Sequence, residues 1–129
     1  MVRSLYATAL ICIFATTLFA ADTGGTTLYR AVTEEELSSI QSSGQLSVVS
    51  GSSTPVPGVQ GKWFYGSLED AQTWAGQVAA QDGGPLTIIR TTVPKSVSPV
   101  FFQPWVDGIQ NPALFHDLKN LTAPIKVVH

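Results

Sequence analysis

The chain has 129 residues, enough for one domain. Its seven basic and nine acidic side chains give a net charge of −2 with no basic run, which argues against binding nucleic acid through phosphates. Cys12 is the only cysteine, so no intramolecular disulfide can form, and the two distant histidines do not resemble a metal site. We therefore expect a domain held together by its apolar core, without a metal.

The first 21 residues have the pattern of a secretory signal peptide. Arg3 provides the positive start, residues 5–20 form an uncharged apolar run, and small residues precede Asp22. The run is about 16 residues long, whereas a membrane-spanning helix needs about 20. We predict a signal peptide at residues 1–21 and a secreted domain, extracellular or periplasmic, at residues 22–129, free of the membrane after cleavage. A retained anchor is the alternative.

The first predicted elements after the signal peptide are a strand and a helix. Residues 27–32 alternate in the manner of a strand. Thr33 is placed as the N-cap of a helix, with Glu36 at the spacing of a capping box and Gly44 just past its end. The next segments are predicted as a short strand and a loop, at residues 45–49 and 50–61.

The middle of the chain has the same order of strand, helix and strand. Residues 62–65 form an aromatic strand. Ser67 caps a second helix, with Asp70 at the spacing of a capping box, and this helix ends at the Asp-Gly-Gly-Pro of residues 82–85. Residues 86–93 are rich in β-branched side chains and predict a strand.

The last third of the chain carries weaker patterns. Residues 99–105 contain a short predicted strand, and Asp107 with Gly108 forms a turn. Asn111 and Pro112 look like the start of a short helix through Asp117, and residues 125–128 close the domain as a strand. The whole is a small α+β domain with a mainly antiparallel sheet and two to three helices. The predicted core is largely aromatic: Trp63, Phe64, Trp74, Phe101, Phe102, Trp105 and Phe115.

Several segments, taken together, resemble small toxin domains with an ADP-ribosyltransferase-like fold, of the kind found at the C-termini of bacterial polymorphic toxins. The segments are, in order, LYRAVT at 28–33 with its following helix, GKWFYGS at 61–67 running into LEDAQTWA, a strand and proline at 88–94, and WVDGIQNPA at 105–113. The resemblance covers about 100 residues, nearly all of the chain after the signal peptide. It implies an enzyme that uses NAD as a substrate and transfers ADP-ribose to a protein acceptor, or releases it.

The resemblance also implies roles for individual residues. Arg30 would bind the NAD phosphates, Tyr65 would stack on nicotinamide, and Ser67 would hydrogen-bond the ribose. Asp107 would be the late carboxylate that stabilises the positively charged ribose, because no glutamate follows Glu69, although the family typically has one there.

Each assignment has a structural alternative. Arg30 could pair with one of the acidic residues 34–36, Ser67 could serve only as an N-cap, and Asp107 could simply form a turn. His116 is a weaker candidate for a general base, either of a nuclease or NAD-cleaving site or of a hydrolase with Ser67 and Asp107. The absent late glutamate leaves a non-catalytic secreted binding module on the same fold as the second functional hypothesis.

Overall fold

A computed structural model describes residues 25–48, 54–82, 84–106, 108–109 and 111–129. The predicted signal peptide at 1–21 and the candidate Asp107 lie outside these residues. Among the described residues, no helix is both long enough and apolar enough to cross a membrane.

The described residues form two helices and six strands, so the predicted α+β class is confirmed. The helices are α1 (Glu34–Ser43) and α2 (Leu68–Asp82). The strands are β1 (Gly25–Val32), β2 (Gly61–Phe64), β3 (Thr87–Pro94), β4 (Phe101–Gln103), β5 (Ala113–Asp117) and β6 (Lys126–Val128). A short 3₁₀ turn, Leu118–Asn120, follows β5.

The strands form two three-stranded antiparallel sheets rather than the one sheet that was expected. β3 is the centre of the first sheet, between β1 and β6, and β5 is the centre of the second, between β2 and β4. The sheets meet where Tyr29 of β1 and Tyr65 just after β2 exchange backbone hydrogen bonds of 2.9 and 2.7 Å. This bridge sets the middle of β1 beside the end of β2.

Two apolar clusters hold the sheets together. The larger is mainly aliphatic and takes Leu28, Val32, Ile89 and Val93 from the first sheet, each no more than 1% exposed. The smaller cluster joins α2 to the other face of that sheet, and it centres on Ala71 of the helix, which is fully buried. The β-branched residues of β3 therefore contribute to both clusters, as alternation in a central strand requires.

Both helices begin where the sequence predicts, but their capping boxes are only half formed. The Thr33 hydroxyl accepts a hydrogen bond from the Glu36 amide, and the Ser67 hydroxyl accepts one from the Asp70 amide, each at 3.2 Å. The carboxylates of Glu36 and Asp70 turn away from their caps and bond to other elements. Gly44 ends α1 in the left-handed conformation, at φ 76°, with its amide donating to the Ile40 carbonyl.

Two predicted elements are wrong. Residues 45–48 are not a strand, and residue 49 lies outside the described range. The segment read as a helix after Asn111 is β5, the central strand of the second sheet. The Asn111 side chain does not cap a helix, because its amide donates to the Asp70 carboxylate at 2.9 Å, and Phe115 is fixed instead by strand pairing with Trp63 and Phe101.

The predicted aromatic core is also only partly correct. Phe64 and Phe115 are 1% and 2% exposed, but Trp105 is 83% exposed and Phe102 is 54% exposed. Phe101 and Trp74 are also exposed, at 40% and 37%. Phe101 and Phe102 lie on β4, a strand of three residues at the edge of the second sheet.

Candidate functional site

A cavity of about 400 Å³ lies between the first sheet, the second sheet and α2. Its walls come from five parts of the chain that are distant in sequence, brought together by the Tyr29–Tyr65 bridge and by the packing of α2. The described residues that line it are Arg30, Ala31, Trp63, Tyr65, Trp74, Gln103, Val106 and Ala113. Two of the predicted site residues, Arg30 and Tyr65, are therefore brought to one cavity.

Arg30 is held in a fixed orientation in the wall of this cavity. Its Nε and Nη2 donate to the two carboxylate oxygens of Glu36 at 2.8 and 2.9 Å, and its Nη1 donates to the Trp63 carbonyl at 2.9 Å. Its predicted structural alternative, pairing with an acidic residue of the α1 first turn, is thus present in the structure. A guanidinium has five N–H donors, so two remain beyond these three bonds.

Glu36 connects Arg30 to a second cation. The Lys62 ammonium lies 3.6 Å from a Glu36 carboxylate oxygen, and both side chains are largely covered. Burial alone would raise the pKa of Glu36, but the hydrogen bonds and charges of Arg30 and Lys62 outweigh it and hold that pKa below its usual 4.5. Burial, followed by repulsion from Arg30, lowers the pKa of Lys62. Glu36 is accordingly an ionised bridge between the two cations.

Tyr65 forms the aromatic side of the cavity with Trp74. Its ring centroid lies 6.4 Å from that of Trp74 with the planes inclined at 44°, and the tyrosine is only 6% exposed. Burial, and to a smaller degree the nearby charge of Asp70, raises the pKa of Tyr65, so its hydroxyl stays protonated at neutral pH. The sequence assigned Trp74 to the core, but it stands at the cavity wall instead.

Ser67 is not among the residues that line the cavity. It is the N-cap of α2, two positions after Tyr65, and its hydroxyl already accepts a hydrogen bond from the Asp70 amide. Asp107 lies outside the described residues, although its neighbour Val106 lines the cavity. The amide of Ile109 donates to the Val106 carbonyl at 3.0 Å, and Gly108 has a positive φ of 76°, which suits glycine.

His116 does not line the cavity either. It is 2% exposed in β5, its ring meets that of Phe64 edge to face at 6.1 Å, and burial lowers its pKa below 6.5. Its Nδ1 has no hydrogen-bond partner among the described residues. The geometry fits a neutral histidine of the interior better than a base with access to a substrate.

Sequence reasoning did not find the remaining lining residues. Gln103 and Ala113 reach the cavity because β4 pairs with β5 at those two positions, which requires the correct assignment of β5 as a strand. Among the lining residues that the structure describes, Arg30 is the one charged side chain. The cavity thus offers one cation and several flat rings, a combination that suits a ligand with an anionic group and an aromatic ring.

Comparison with known proteins adds no relative. No family model, curated protein or solved structure matches the chain. Within the described ranges, no group of three or more metal-ligating side chains is close enough to hold an ion.

Proposed function

We propose that the cavity between the sheets binds NAD and that the chain is a secreted ADP-ribosyltransferase-like enzyme or toxin. One observation carries the proposal: Arg30 on β1 and Tyr65 after β2 line the same cavity, which has about 400 Å³ of space. That volume is in the range of ordinary small-molecule sites, roughly 300–1,000 Å³. The order of strands and helices along the chain, and the bridge that joins β1 to the residue after β2, support the same proposal.

Binding would use the fixed guanidinium and the two rings. Arg30 would direct its two remaining N–H donors at the pyrophosphate, forming charge-assisted hydrogen bonds. Because Glu36 and the Trp63 carbonyl already orient it, little side-chain entropy would be lost on binding. The nicotinamide ring would lie against Tyr65 and Trp74, which are inclined to each other rather than stacked.

The chemical step would break the bond between C1′ of the ribose and the nicotinamide nitrogen. The bonding electrons leave with the nitrogen, so neutral nicotinamide departs and the ribose becomes an oxocarbenium-like cation. We assign Asp107 the role of stabilising this cation, whereas Ser67, which does not line the cavity, is left as the N-cap of α2. A nucleophile from a protein acceptor, or water, then bonds to C1′ and loses its proton, which gives ADP-ribosylated acceptor or free ADP-ribose.

Incubation of residues 22–129 with NAD labelled in the nicotinamide ring tests the enzyme directly. We expect release of labelled nicotinamide, with a loss of about a hundredfold or more in Arg30→Gln and in Asp107→Asn, since each removes a charge that acts on the transition state. Lys119→Gln is the control, because it also removes a charge but lies 78% exposed on the 3₁₀ turn. Absence of both cleavage and binding in the parent domain would end the proposal.

A non-catalytic binding module is the second candidate, and a specific observation favours it. No carboxylate occurs among the described residues that line the cavity, and three donors of Arg30 are already engaged. The module would bind NAD or a similar ligand without cleaving it. Saturable binding with no nicotinamide release, unchanged in Asp107→Asn, would select this candidate over the enzyme.

A further inference from the structure

Two cations face each other on the part of the first sheet that α2 leaves open. Arg90 of β3 and Lys126 of β6 occupy directly paired positions in the antiparallel ladder, and both are exposed. In the part of the chain that the structure describes, neither has a carboxylate within salt-bridge distance. Directly opposed like charges destabilise a sheet. A sequence of net charge −2 nevertheless places two of its seven basic residues there.

The two cations border a depression of about 210 Å³ that also has hydroxyl groups in its wall. Thr27 and Thr92 are paired across β1 and β3 and both line it. On the opposite rim, the buried Thr91 hydroxyl donates to the Pro124 carbonyl at 3.2 Å, which ties the segment before β6 to the central strand. Strand pairing between β1 and β3 on one side, and the hydrogen bond from Thr91 to Pro124 on the other, therefore hold the walls of the depression in place.

This depression is separate from the candidate NAD site. No residue lines both, and Arg30 is not part of it. The face that carries Ile88 and Ala31 is covered by α2, whereas the continuation of that face at Thr27, Arg90 and Thr92 is open. A ligand at one site would therefore not compete directly for the residues of the other.

We propose that this depression binds an oxyanion, specifically a phosphate or sulfate monoester. The Arg90 guanidinium presents two parallel N–H donors to two of its oxygens, and the Lys126 ammonium contacts a third as a point charge. The hydroxyls of Thr27 and Thr92 supply the remaining donors. The anion removes the repulsion between the paired cations, which is why this position favours it over an uncharged ligand.

Inorganic phosphate and inorganic sulfate, titrated into amide-labelled residues 22–129 and followed by NMR, test the proposal. We expect saturable shifts at the amides of β3 and β6, and affinity about tenfold weaker in Arg90→Gln and in Lys126→Gln. Lys119→Gln is the matched loss of one exposed positive charge and should leave the affinity unchanged.

Glucose 6-phosphate and glucose 6-sulfate then distinguish a phosphate ester from a sulfate ester as the ligand. The ester that binds at least tenfold more tightly is the class that the site recognises. Thermal unfolding is the second measurement: phosphate or sulfate should raise the melting temperature of the parent and not that of Arg90→Gln. Shifts that never saturate, or equal weakening in all three charge variants, would show only general ionic screening and overturn the site.

Discussion

The two sheets have the same number of strands but use their apolar residues differently. The first sheet buries aliphatic side chains almost completely, with Leu28 and Ile89 at 0% exposure. The second buries Phe64 and Phe115 but leaves Phe101 and Phe102 of its edge strand exposed, and Trp105 beyond that strand is 83% exposed. The size of an apolar side chain therefore does not decide its burial here, since the larger rings of β4 are more exposed than the aliphatic side chains of β1 and β3.

The exposed aromatic surface lies in and beyond the second sheet, whereas the cavity takes residues from both sheets. The first sheet provides four of the eight buried residues of the larger cluster, Leu28, Val32, Ile89 and Val93. The second sheet faces the cavity with Trp63 and Gln103 and keeps aromatic surface available. Substitutions in the two regions should consequently differ in what they change.

The largest expected effect is at the centre of the first sheet. Ile89→Ala removes buried methyl groups from a fully covered position and should lower the free energy of unfolding by about 2–5 kcal/mol. Phe102→Ala deletes a larger side chain on the edge strand, yet we expect a smaller loss because more than half of it is exposed. Urea denaturation measures both. A greater loss for Phe102→Ala would contradict the comparison.

The second sheet has its own tightly packed point at Gly61. A Cβ added there would collide with the carbonyl oxygen of His116 and approach the Phe115 ring to 2.9 Å. Gly61→Ala should therefore destabilise the domain by about 1–3 kcal/mol through overpacking. Gly66→Ala is the control, since nothing lies within 4 Å of its Cβ position. Equal melting temperatures for the two variants would show that β2 and β5 can separate at no cost.

The pH dependence of stability should report His116. Burial lowers its pKa in the folded state below the unfolded value of 6.5, so the unfolded chain binds the proton more readily. Stability is then complete above about pH 6.5 and falls as the pH drops from there towards the folded pKa, by up to about 1.4 kcal/mol per pH unit.

His116→Phe should remove this slope, because it keeps a ring against Phe64 and cannot be protonated. The same slope between pH 6.5 and 5 in the parent and in His116→Phe would assign that slope to other groups.

Glu36 acts at lower pH. Because its pKa is depressed in the folded state, its contribution to stability is present above pH 4.5 and disappears as the pH falls through the folded pKa.

The smallest effect is expected at Trp105. Because this side chain is 83% exposed, Trp105→Ser should change the free energy of unfolding by no more than about 0.5 kcal/mol. It should also leave NAD binding intact, since Trp105 does not line the cavity. Chemical denaturation and a binding titration on the same sample check both expectations.

Local signals in the sequence predicted five of the strands, both helices and their first residues. The capping threonine and serine and the left-handed Gly44 act within a few residues, which is why these boundaries were accessible. β5 was missed because Asn111 and Pro112 imitate a helix start. The pairing of β5 with β2 and β4, and the contact of Asn111 with Asp70, 41 residues away, lie beyond the reach of local signals.

The candidate site was predictable to a similar extent. The resemblance pointed to Arg30 and Tyr65, and both line the cavity, although the ligand remains a prediction. The bidentate pairing of Arg30 with Glu36 was one of the alternatives that the sequence left open. Trp74 could not be placed at the cavity in advance. Helical periodicity gives the side of α2 on which it lies, but whether that side meets a sheet or the space between the two sheets depends on tertiary structure.

The tryptophan side chains offer the most direct test of NAD binding in this cavity. The chain has three tryptophans, of which Trp63 and Trp74 line the cavity and Trp105 does not. NAD titrated into ¹⁵N-labelled residues 22–129 should shift the indole N–H signals of Trp63 and Trp74 along one saturation curve and leave that of Trp105 in place. If all three signals stay unmoved at millimolar NAD, or if Trp105 alone responds, the cavity is not the NAD site.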